Sequence, residues 1–351
     1  MISYFLGANS SRGFHSLYET LLTPERQTII LKGGPGCGKS TFMRLVAKAA
    51  EEKCQPVEYI YCSGDPDSLD AILLPAQNAA IVDGTAPHVI EPTLPGAAHH
   101  YLNLGEAYDH EGLQPVKTEL GQLFAKYKAC YPRAYRCLSA AGEITFDCRS
   151  LLLTDSLSEK LERRARGIAA RHFRRESGGS GQVEQRFITA ITCQGLVSRF
   201  ETVSTLCGQV YELEDSYGLG SSFLSALLTA ATAAGHDGVA CMDPMVPDKI
   251  AHLLFPGLGL GFVTSTPEFP YTGKVHRRIR VDAAVDQELL RRVRPRLRFA
   301  RRVASALTQE AIASLAQAKE LHDELEALYN PYVNFALVEK KADEVAANLG
   351  F

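Results

Sequence analysis

The chain has 351 residues, 46% of them hydrophobic, which is enough for two domains of ordinary size with separate cores. Its net charge of −3 at pH 7 gives no general attraction to nucleic acid or to an anionic membrane, so neither partner is expected. The nine cysteines include no C-x-x-C spacing, and the sequence therefore predicts neither a zinc site nor a disulfide framework.

No part of the sequence predicts a membrane segment. The first residues, MISYFLGANSSRGF, lack the basic start and the long apolar stretch of a signal peptide. The longest apolar candidate, FLSALLTAATAA from Phe223, is too short for a membrane-spanning helix. Because the cysteines indicate no disulfide framework, we expect a reduced, cytoplasmic protein. The sequence identifies no protein partner.

A glycine-rich loop lies between a predicted strand and a predicted helix. The strand is the β-branched apolar run TIILK, residues 28–32, and apolar residues at helical spacing follow the loop from Phe42 onward. Between them, GGPGCGKST fits the phosphate-loop pattern G-x-x-x-x-G-K-[ST], which predicts a P-loop that binds ATP. The predicted nucleotide-binding residues are Gly33, Gly34, Pro35, Gly36, Cys37, Gly38, Lys39, Ser40 and Thr41.

Each residue type in this loop has a role in binding a triphosphate. Glycines let successive backbone N–H groups face inward onto the phosphates, and the N-terminus of the helix adds partial positive charge. Lys39 is predicted to reach the β- and γ-phosphates, which makes it a catalytic candidate. Ser40 is predicted to ligate Mg²⁺ through its hydroxyl. The alternative is an ordinary glycine-rich turn before a helix.

A second Mg²⁺ ligand is predicted where the next apolar run ends. Asp83 follows residues 79–82 and fits the aspartate at the tip of a strand that holds Mg²⁺ directly or through water. The next residue is Gly84, where many ATPases have a glutamate that orients the attacking water. Any hydrolysis therefore needs another group for that role.

The second half of the chain repeats the first. Each matched residue of the second half lies a fixed number of positions after its counterpart in the first half. After the loss of one residue that number falls by one and is again constant. This ordered run of matches predicts an internal duplication. The matched pairs are Phe5/Phe187, Gly13/Gly195, Ser16/Ser198, Leu31/Leu213, Gly36/Gly218, Gly38/Gly220, Ser40/Ser222, Leu45/Leu227, Asp67/Asp248, Leu73/Leu254, Pro75/Pro256, Val82/Val263 and Thr85/Thr266.

The second copy of the glycine loop, LEDSYGLGSS at residues 213–222, has lost the charges that bind phosphate and metal. Each added carboxylate about 5 Å from a phosphate costs about 3 kcal/mol at an effective dielectric constant near 20. We therefore predict that the second copy keeps its fold but binds no triphosphate. The replacements are Glu214 for Lys32, Asp215 for Gly33, Ser221 for Lys39 and Thr264 for Asp83.

Three aspartates in SGDPDSLD follow the predicted strand VEYIYC, at the sheet edge where ligands bind in parallel α/β proteins. Asp67 has a partner in the second copy, Asp248, which indicates a structural role. Asp65 aligns with Val246 and is lost together with the charges of the loop. Asp65 is therefore preferred over Asp67 and Asp70 as a catalytic residue.

Three histidines deserve separate interpretations. His88, in GTAPHV, aligns with Phe269 and is a further candidate for the site, with an ordinary solvated histidine as the alternative. His99 and His100 have no matching metal-ligand spacing and are predicted to lie on the surface.

Arginines form two basic runs and one isolated candidate. Residues 290–302 are predicted as a solvated helix, with an arginine finger to a phosphate or a grip on an acidic partner as the alternative. Residues 163–175 are predicted as a charged helix end, with a basic lid over a kinase site as the alternative. Arg12 is predicted to lie on the surface, with a contact to the nucleotide as the alternative.

The duplication divides the chain into two α/β copies. Residues 1–176 form the first predicted domain and residues 183–351 the second, joined by a flexible linker at residues 177–182. Each copy is predicted to be a P-loop NTPase core, a parallel sheet flanked by helices, with an appended helical subdomain. The helical regions are predicted at residues 99–176 and 273–351. The first copy is expected to pack on the second as a pseudo-dimer.

The chain resembles a family of bacterial tandem P-loop ATP-binding proteins that are described as ATPases. The resemblance rests on GANSSRGFHSLYE, LKGGPGCGKST, YCSGDPDSLDAILLP and AIVDGTAPHVIEP, and through the duplication it extends over nearly the whole chain. It implies a P-loop NTPase fold and ATP binding. Both copies in this family often carry a lysine in the glycine-rich loop, and the second copy here does not.

Three functions remain open from the sequence. The first, which we favour, is a slow Mg²⁺-dependent ATPase in which the second copy is a structural or regulatory partner. The second is a kinase that transfers the γ-phosphate to a small molecule or a nucleotide. The third is a nucleotide sensor with negligible turnover.

Overall fold

Two repeated α/β units make up the molecule. The structure is a computed structural model that describes residues 1–86, 88–175 and 179–351, so the predicted linker lies in part outside the described residues. Each unit has one six-stranded sheet flanked by helices and one two-stranded hairpin. This arrangement confirms the α/β class and the duplication.

The strands occur in the same order in both halves. In the first half they are β1 (Ile2–Phe5), β2 (Gly7–Ser10), β3 (Gly13–Ser16), β4 (Gln27–Lys32), β5 (Glu58–Tyr61), β6 (Leu69–Leu74), β7 (Ala79–Asp83) and β8 (His99–Asn103). In the second half they are β9 (Val183–Arg186), β10 (Thr189–Thr192), β11 (Gly195–Ser198), β12 (Gln209–Glu214), β13 (Gly238–Met242), β14 (Ile250–Phe255), β15 (Leu260–Ser265) and β16 (Arg277–Arg280).

The α-helices of the described residues differ widely in length. They are α1 (Lys39–Glu52), α2 (Lys117–Ser150), α3 (Asp155–His172), α4 (Phe200–Leu206), α5 (Ser221–Ala233), α6 (Gln287–Tyr329) and α7 (Phe335–Asn348). Short 3₁₀ turns lie at Tyr18–Leu21, Pro75–Gln77, Leu104–Ala107, Pro256–Leu258, Asp282–Ala284 and Asn330–Tyr332. None of the helices in the described residues has the length and apolar character needed to cross a membrane.

Both large sheets are mixed, which differs from the parallel sheet that the sequence predicts. Their strand orders are β1-β5-β6-β7-β4-β8 and, by equivalent position, β9-β13-β14-β15-β12-β16. Strand β6 pairs antiparallel with β5 and β7, and β14 pairs antiparallel with β13 and β15. The chain between these consecutive strands is shorter than the dozen or so residues that a parallel crossover needs, so the strands fold back as hairpins. Strand β4 is still parallel to both its neighbours, β7 and β8.

An approximate two-fold axis relates the two halves. Phe5 and its sequence equivalent Phe187 exchange both backbone hydrogen bonds, at 2.8 and 2.9 Å. Such an exchange between equivalent positions is the property of an isologous interface. The two halves therefore pack together as a pseudo-dimer. A second set of equivalent contacts joins Arg12 to Asp248 and Gln194 to Asp67.

The helices of each half pack on the other half. Helix α7 of the second half lies against α1 of the first, and α3 of the first half lies against α5 of the second. The long helices α2 and α6 run antiparallel along each other, joined by the ion pairs Arg133–Glu310 and Arg296–Asp147. The regions predicted as helical also begin with sheet residues, because β8 and β16 lie within them.

Because the helices of each half pack on the other half, the hydrophobic cores combine residues of both halves. The largest cluster of buried side chains contains residues of both halves, among them Phe5, Leu161, Phe187 and Phe255. A second cluster lies around α1 and combines Phe42, Met43 and Val46 with residues of α7. A smaller third cluster joins α2, α6 and β10.

Candidate functional site

The glycine loop, residues 33–41, connects the central strand β4 to helix α1. Strand β4 ends at Lys32 and α1 begins at Lys39, so the predicted order of strand, loop and helix is present. Gly36 and Gly38 have φ angles of 72° and 83°, the left-handed region that glycine adopts without steric cost. The N–H groups of Cys37 and Gly38 donate no hydrogen bond to other described residues. The loop therefore presents unpaired donors at the start of a helix.

Lys39 lies between the loop and the adjacent strand. Its Nζ atom donates to the carbonyl oxygens of Gly33 and Gly34, both at 2.9 Å, and lies 3.7 Å from Oδ2 of Asp83. Burial is the largest single influence and would lower the pKa of Lys39. The nearby groups Asp83, Cys37, Glu326 and Asp70 together outweigh it, so the pKa is raised. Parallel pairing aligns Leu31 with Asp83 and so brings this carboxylate to the end of β4.

The two predicted Mg²⁺ ligands are held by neighbouring hydrogen bonds. The Ser40 hydroxyl accepts the N–H of Leu69 at 3.0 Å, which ties the start of α1 to the start of β6. Oδ1 of Asp83 accepts from the N–H and the hydroxyl of Thr85, at 2.8 and 2.6 Å. Thr41, the last predicted loop residue, is exposed.

A buried triad of ionisable side chains, Asp70, Asp83 and His88, lies beside Lys39. One ligand atom from each residue lies within 4.8 Å of the other two. Oδ2 of Asp70 accepts the Tyr18 hydroxyl at 2.5 Å, and the Tyr18 ring stacks on His88 with centroids 4.5 Å apart. Burial raises the pKa of Asp70. We use the name buried triad for these three residues below.

The second half of the molecule covers the glycine loop. A Cβ atom at Gly36 would lie 3.0 Å from Oδ1 of Asn330, and one at Gly38 would lie 3.2 Å from Cγ1 of Val338. Within the first half, the Tyr108 hydroxyl also contacts the loop and donates to the carbonyl of Pro35 at 2.8 Å. The end of α6 and the start of α7 therefore rest directly on the loop. We refer to residues 326–338 as the covering segment.

The equivalent loop of the second half, residues 215–223, holds a carboxylate of its own. Asp215, which replaces Gly33, is 3% exposed and accepts the N–H groups of Leu219 and Gly220 at 2.9 and 2.7 Å. Burial raises the pKa of Asp215, and these N–H groups oppose the increase. Gly220 has a φ of −73°, unlike Gly38, so this loop does not curl in the same way. The N–H groups of Leu219 and Gly220 are therefore satisfied within the chain.

Several predicted candidates lie elsewhere. Oδ2 of Asp65, the preferred catalytic residue, accepts the Ser68 hydroxyl at 2.8 Å and lies 3.5 Å from Nζ of Lys319. Arg12 pairs with Asp248 of the other half, where both side chains are exposed. The structure does not bring Arg12 to the loop as the nucleotide contact that was the alternative.

The basic runs mainly join helices to neighbouring segments. In the run 290–302, Arg296 pairs with Asp147 and Arg301 lies 3.1 Å from Glu268. In the run 163–175, Arg164 donates to the carbonyl of Arg280. Arg164 and Arg296 therefore contribute to the packing between the halves, whereas the Arg301 contact lies within the second half.

One histidine differs from its prediction. His99 is 1% exposed, because it lies on strand β8 and its Nδ1 accepts the N–H of Leu94 at 3.1 Å. The surface prediction for His99 was therefore wrong, whereas His100 is exposed. Alternation along the strand explains why neighbouring histidines have opposite exposure.

Of the residues at the site, Asp70 was ranked below Asp65 as a candidate from the sequence, and Tyr18 was not considered. Asp70 is the only charged residue in the buried strand β6, and Tyr18 reaches it from a 3₁₀ turn. A lone charge in an apolar strand is a signal that sequence reading can find, since buried charges need partners. The Tyr18 contact depends on tertiary packing and has no sequence signal.

Comparison with known proteins gives one partial match. Residues 14–74 match the family model described as Nephrocystin 3, N-terminal, a segment that includes the glycine loop. No curated protein matches the chain, and no solved structure matches it.

Proposed function

We propose that the chain binds ATP with Mg²⁺ at the glycine loop and hydrolyses it slowly. The proposal rests on one observation: Lys39 sits between the loop carbonyls and Asp83, beside unpaired N–H groups at the start of a helix. A lysine ammonium and inward-facing N–H groups are the donors that a triphosphate needs. A phosphate would replace the Gly33 and Gly34 carbonyls as the partner of Lys39.

The residues present also suit a magnesium ion. Ser40 offers a hydroxyl and Asp83 a carboxylate, the hard oxygen donors that Mg²⁺ takes together with water and phosphate oxygens. When bound, Mg²⁺ would neutralise negative charge on the β- and γ-phosphates. The chain itself supplies the lysine charge that would hold the phosphates, and the hydroxyl and carboxylate that would hold the ion.

Slow turnover follows from the residue after Asp83. Gly84 has no side chain to orient water, and its carbonyl accepts Nζ of Lys32 at 2.9 Å. Of the candidates from the sequence, Asp65 is paired with Lys319 of α6, so it is committed to a contact between the halves. The site therefore has a strong set of phosphate donors and a weak set of groups for activating water.

The second half supports this function without binding a triphosphate. Asp215 already occupies the N–H groups of Leu219 and Gly220 with negative charge, so a phosphate would have to displace a carboxylate. The covering segment contacts the glycine loop of the first half, which favours a role in responding to the bound nucleotide. A nucleotide sensor with negligible turnover is therefore the second candidate.

Calorimetric titration with a slowly hydrolysed ATP analogue and Mg²⁺ tests the proposal. We expect one site per chain and at least about tenfold weaker binding for Lys39→Ala, because charge-assisted hydrogen bonds of about 1.5–3 kcal/mol are lost. Lys48→Ala is the matched control, since Lys48 is an exposed lysine of the same helix. Unchanged affinity in Lys39→Ala, or two equal sites per chain, would refute the assignment.

Analysis of products separates the candidate activities. Incubation with labelled ATP, with and without a mixture of metabolites, should release ADP and labelled phosphate slowly. Label on a metabolite would instead establish the kinase alternative, and bound but unconverted ATP would establish the sensor.

A further inference from the structure

In the buried triad, one carboxylate oxygen of each aspartate accepts hydrogen bonds, and the other lies 3.7 Å from a nitrogen of His88 or Lys39. On Asp70, Oδ2 is taken by the Tyr18 hydroxyl, and Oδ1 lies 3.7 Å from Nε2 of His88. On Asp83, Oδ1 is taken by Thr85, and Oδ2 faces Lys39. These contacts hold both carboxylates in place, and one oxygen of each lies within 4.8 Å of the other and of a ring nitrogen of His88.

His88 gives an independent indication of a ligand. The residue is 6% exposed, and neither of its ring nitrogens has a hydrogen-bond partner among the described residues. Leaving a buried polar group unpaired costs about 1–3 kcal/mol. Stacking on Tyr18 fixes the plane of the ring, and Nε2 is directed at Asp70. An imidazole held in this way is arranged to bind a ligand that lies between the two aspartates.

Charge and donor type indicate what that ligand is. Two carboxylates converge in a buried region. The ammonium group of Lys39 lies 3.7 Å from Asp83. One nitrogen and two oxygen donors form a three-ligand set that leaves positions open for water, a pattern typical of Zn²⁺, Mn²⁺ or Co²⁺ sites. The nitrogen donor favours these ions over Mg²⁺, which prefers oxygen ligands.

The second half provides an internal comparison. Its residues at the equivalent positions have no carboxylate, imidazole or phenol, and the two aromatic rings there pack with centroids 5.7 Å apart. Loss of all four groups together indicates that they serve one purpose. The replacements are Phe200 for Tyr18, Ala251 for Asp70, Thr264 for Asp83 and Phe269 for His88.

We propose that Asp70, Asp83 and His88 bind a divalent transition-metal ion, and that this binding does not require nucleotide. The site is separate from the Mg²⁺ position at Ser40, although both use Asp83. It does not depend on the proposed ATPase, because its ligands belong to the folded chain. Lys39 competes with the metal for Oδ2 of Asp83, so binding of a phosphate to Lys39 would free that oxygen.

Metal binding to the full chain without nucleotide tests this proposal. Titration of the metal-free protein with Co²⁺, followed by its visible absorption, and with Mn²⁺, followed by electron paramagnetic resonance, should each give one site. His88→Phe, which copies the second half and keeps an aromatic ring on Tyr18, should weaken binding at least tenfold. Asp70→Asn, which can still accept the Tyr18 hydroxyl, should do the same and provides the test if His88→Phe does not fold.

Two further variants identify the site that binds. His322→Ala removes the imidazole from the other possible cluster, His322, Asp323 and Glu326 of α6, and should leave the affinity within about twofold. Lys39→Ala should weaken ATP binding at least about tenfold but keep the metal, which separates this proposal from the proposed function. Absence of binding to the unmodified chain, unchanged binding in His88→Phe and Asp70→Asn, or loss in His322→Ala alone would overturn it.

Discussion

One carboxylate explains how the second glycine loop stays ordered without a phosphate. Asp215 accepts N–H groups of Leu219 and Gly220, which lie at the positions of Cys37 and Gly38 in the first loop. Backbone donors at a helix start need an acceptor, and a carboxylate bound to the chain supplies one permanently. A change from glycine to aspartate therefore gives the loop an acceptor of its own for these N–H groups.

Removal of this carboxylate should destabilise the protein. We expect Asp215→Ala to lower the free energy of unfolding by about 3 kcal/mol, because buried N–H groups lose a charged acceptor. Asp215→Asn should cost less, since the amide oxygen still accepts a hydrogen bond. Urea unfolding followed by circular dichroism measures both.

Asp343→Ala, a change of an exposed aspartate on α7, is the control and should stay within about 0.5 kcal/mol of the unmodified chain. Equal stability of the alanine and asparagine variants would contradict the role assigned to the Asp215 oxygens.

Among the helices, α7 belongs to the second copy by sequence but packs on helix α1 of the first half. It buries Val338, Ala342 and Ala346, an apolar stripe at helical spacing, against α1. Helix α3, which belongs to the first half, packs on helix α5 of the second half. The exchange couples the helix that starts at Lys39 to the C-terminal part of the chain.

The contact of α7 with α1 can be weakened at one side chain. Val338 is 1% exposed, and Val338→Ala should cost about 2 kcal/mol through lost burial and the cavity that remains. Hydrogen exchange should also accelerate in α1, a helix that is distant in sequence. The exposed neighbour Glu339→Ala is the matched control and should change neither quantity. Unaltered exchange in α1 would show that the two helices are not coupled.

For the whole molecule, the two halves share one core. The cluster around Phe5 and Phe187 draws on both sheets, and each sheet is covered by a helix of the other half. Burial of apolar surface drives folding, so a half without its partner would expose much of its apolar surface.

Separate expression of the halves tests this dependence. We expect residues 1–175 and residues 179–351 to be unfolded or aggregated alone and to form a soluble complex when expressed together. Size-exclusion chromatography and thermal unfolding distinguish these outcomes. A cooperative unfolding transition in either isolated half would show that it has an independent core.

The sequence by itself determined the features that depend on neighbouring residues. The order of strand, loop and helix at residues 28–52 follows from apolar periodicity and glycine positions, and the duplication follows from matched residues. Both features are present in the structure. The position of Asp83 at the end of a strand follows in the same way, because an apolar run precedes it.

Only the tertiary structure decided which distant residues meet. Asp70, Asp83 and His88 converge because β6 and β7 pair side by side, and no local pattern records that pairing. The antiparallel direction of these strands was missed because the P-loop motif suggested a parallel sheet, although the short connections favour hairpins. The exchange of α3 and α7 depends on where an apolar helix face finds the largest buried area, a property of the whole folded chain.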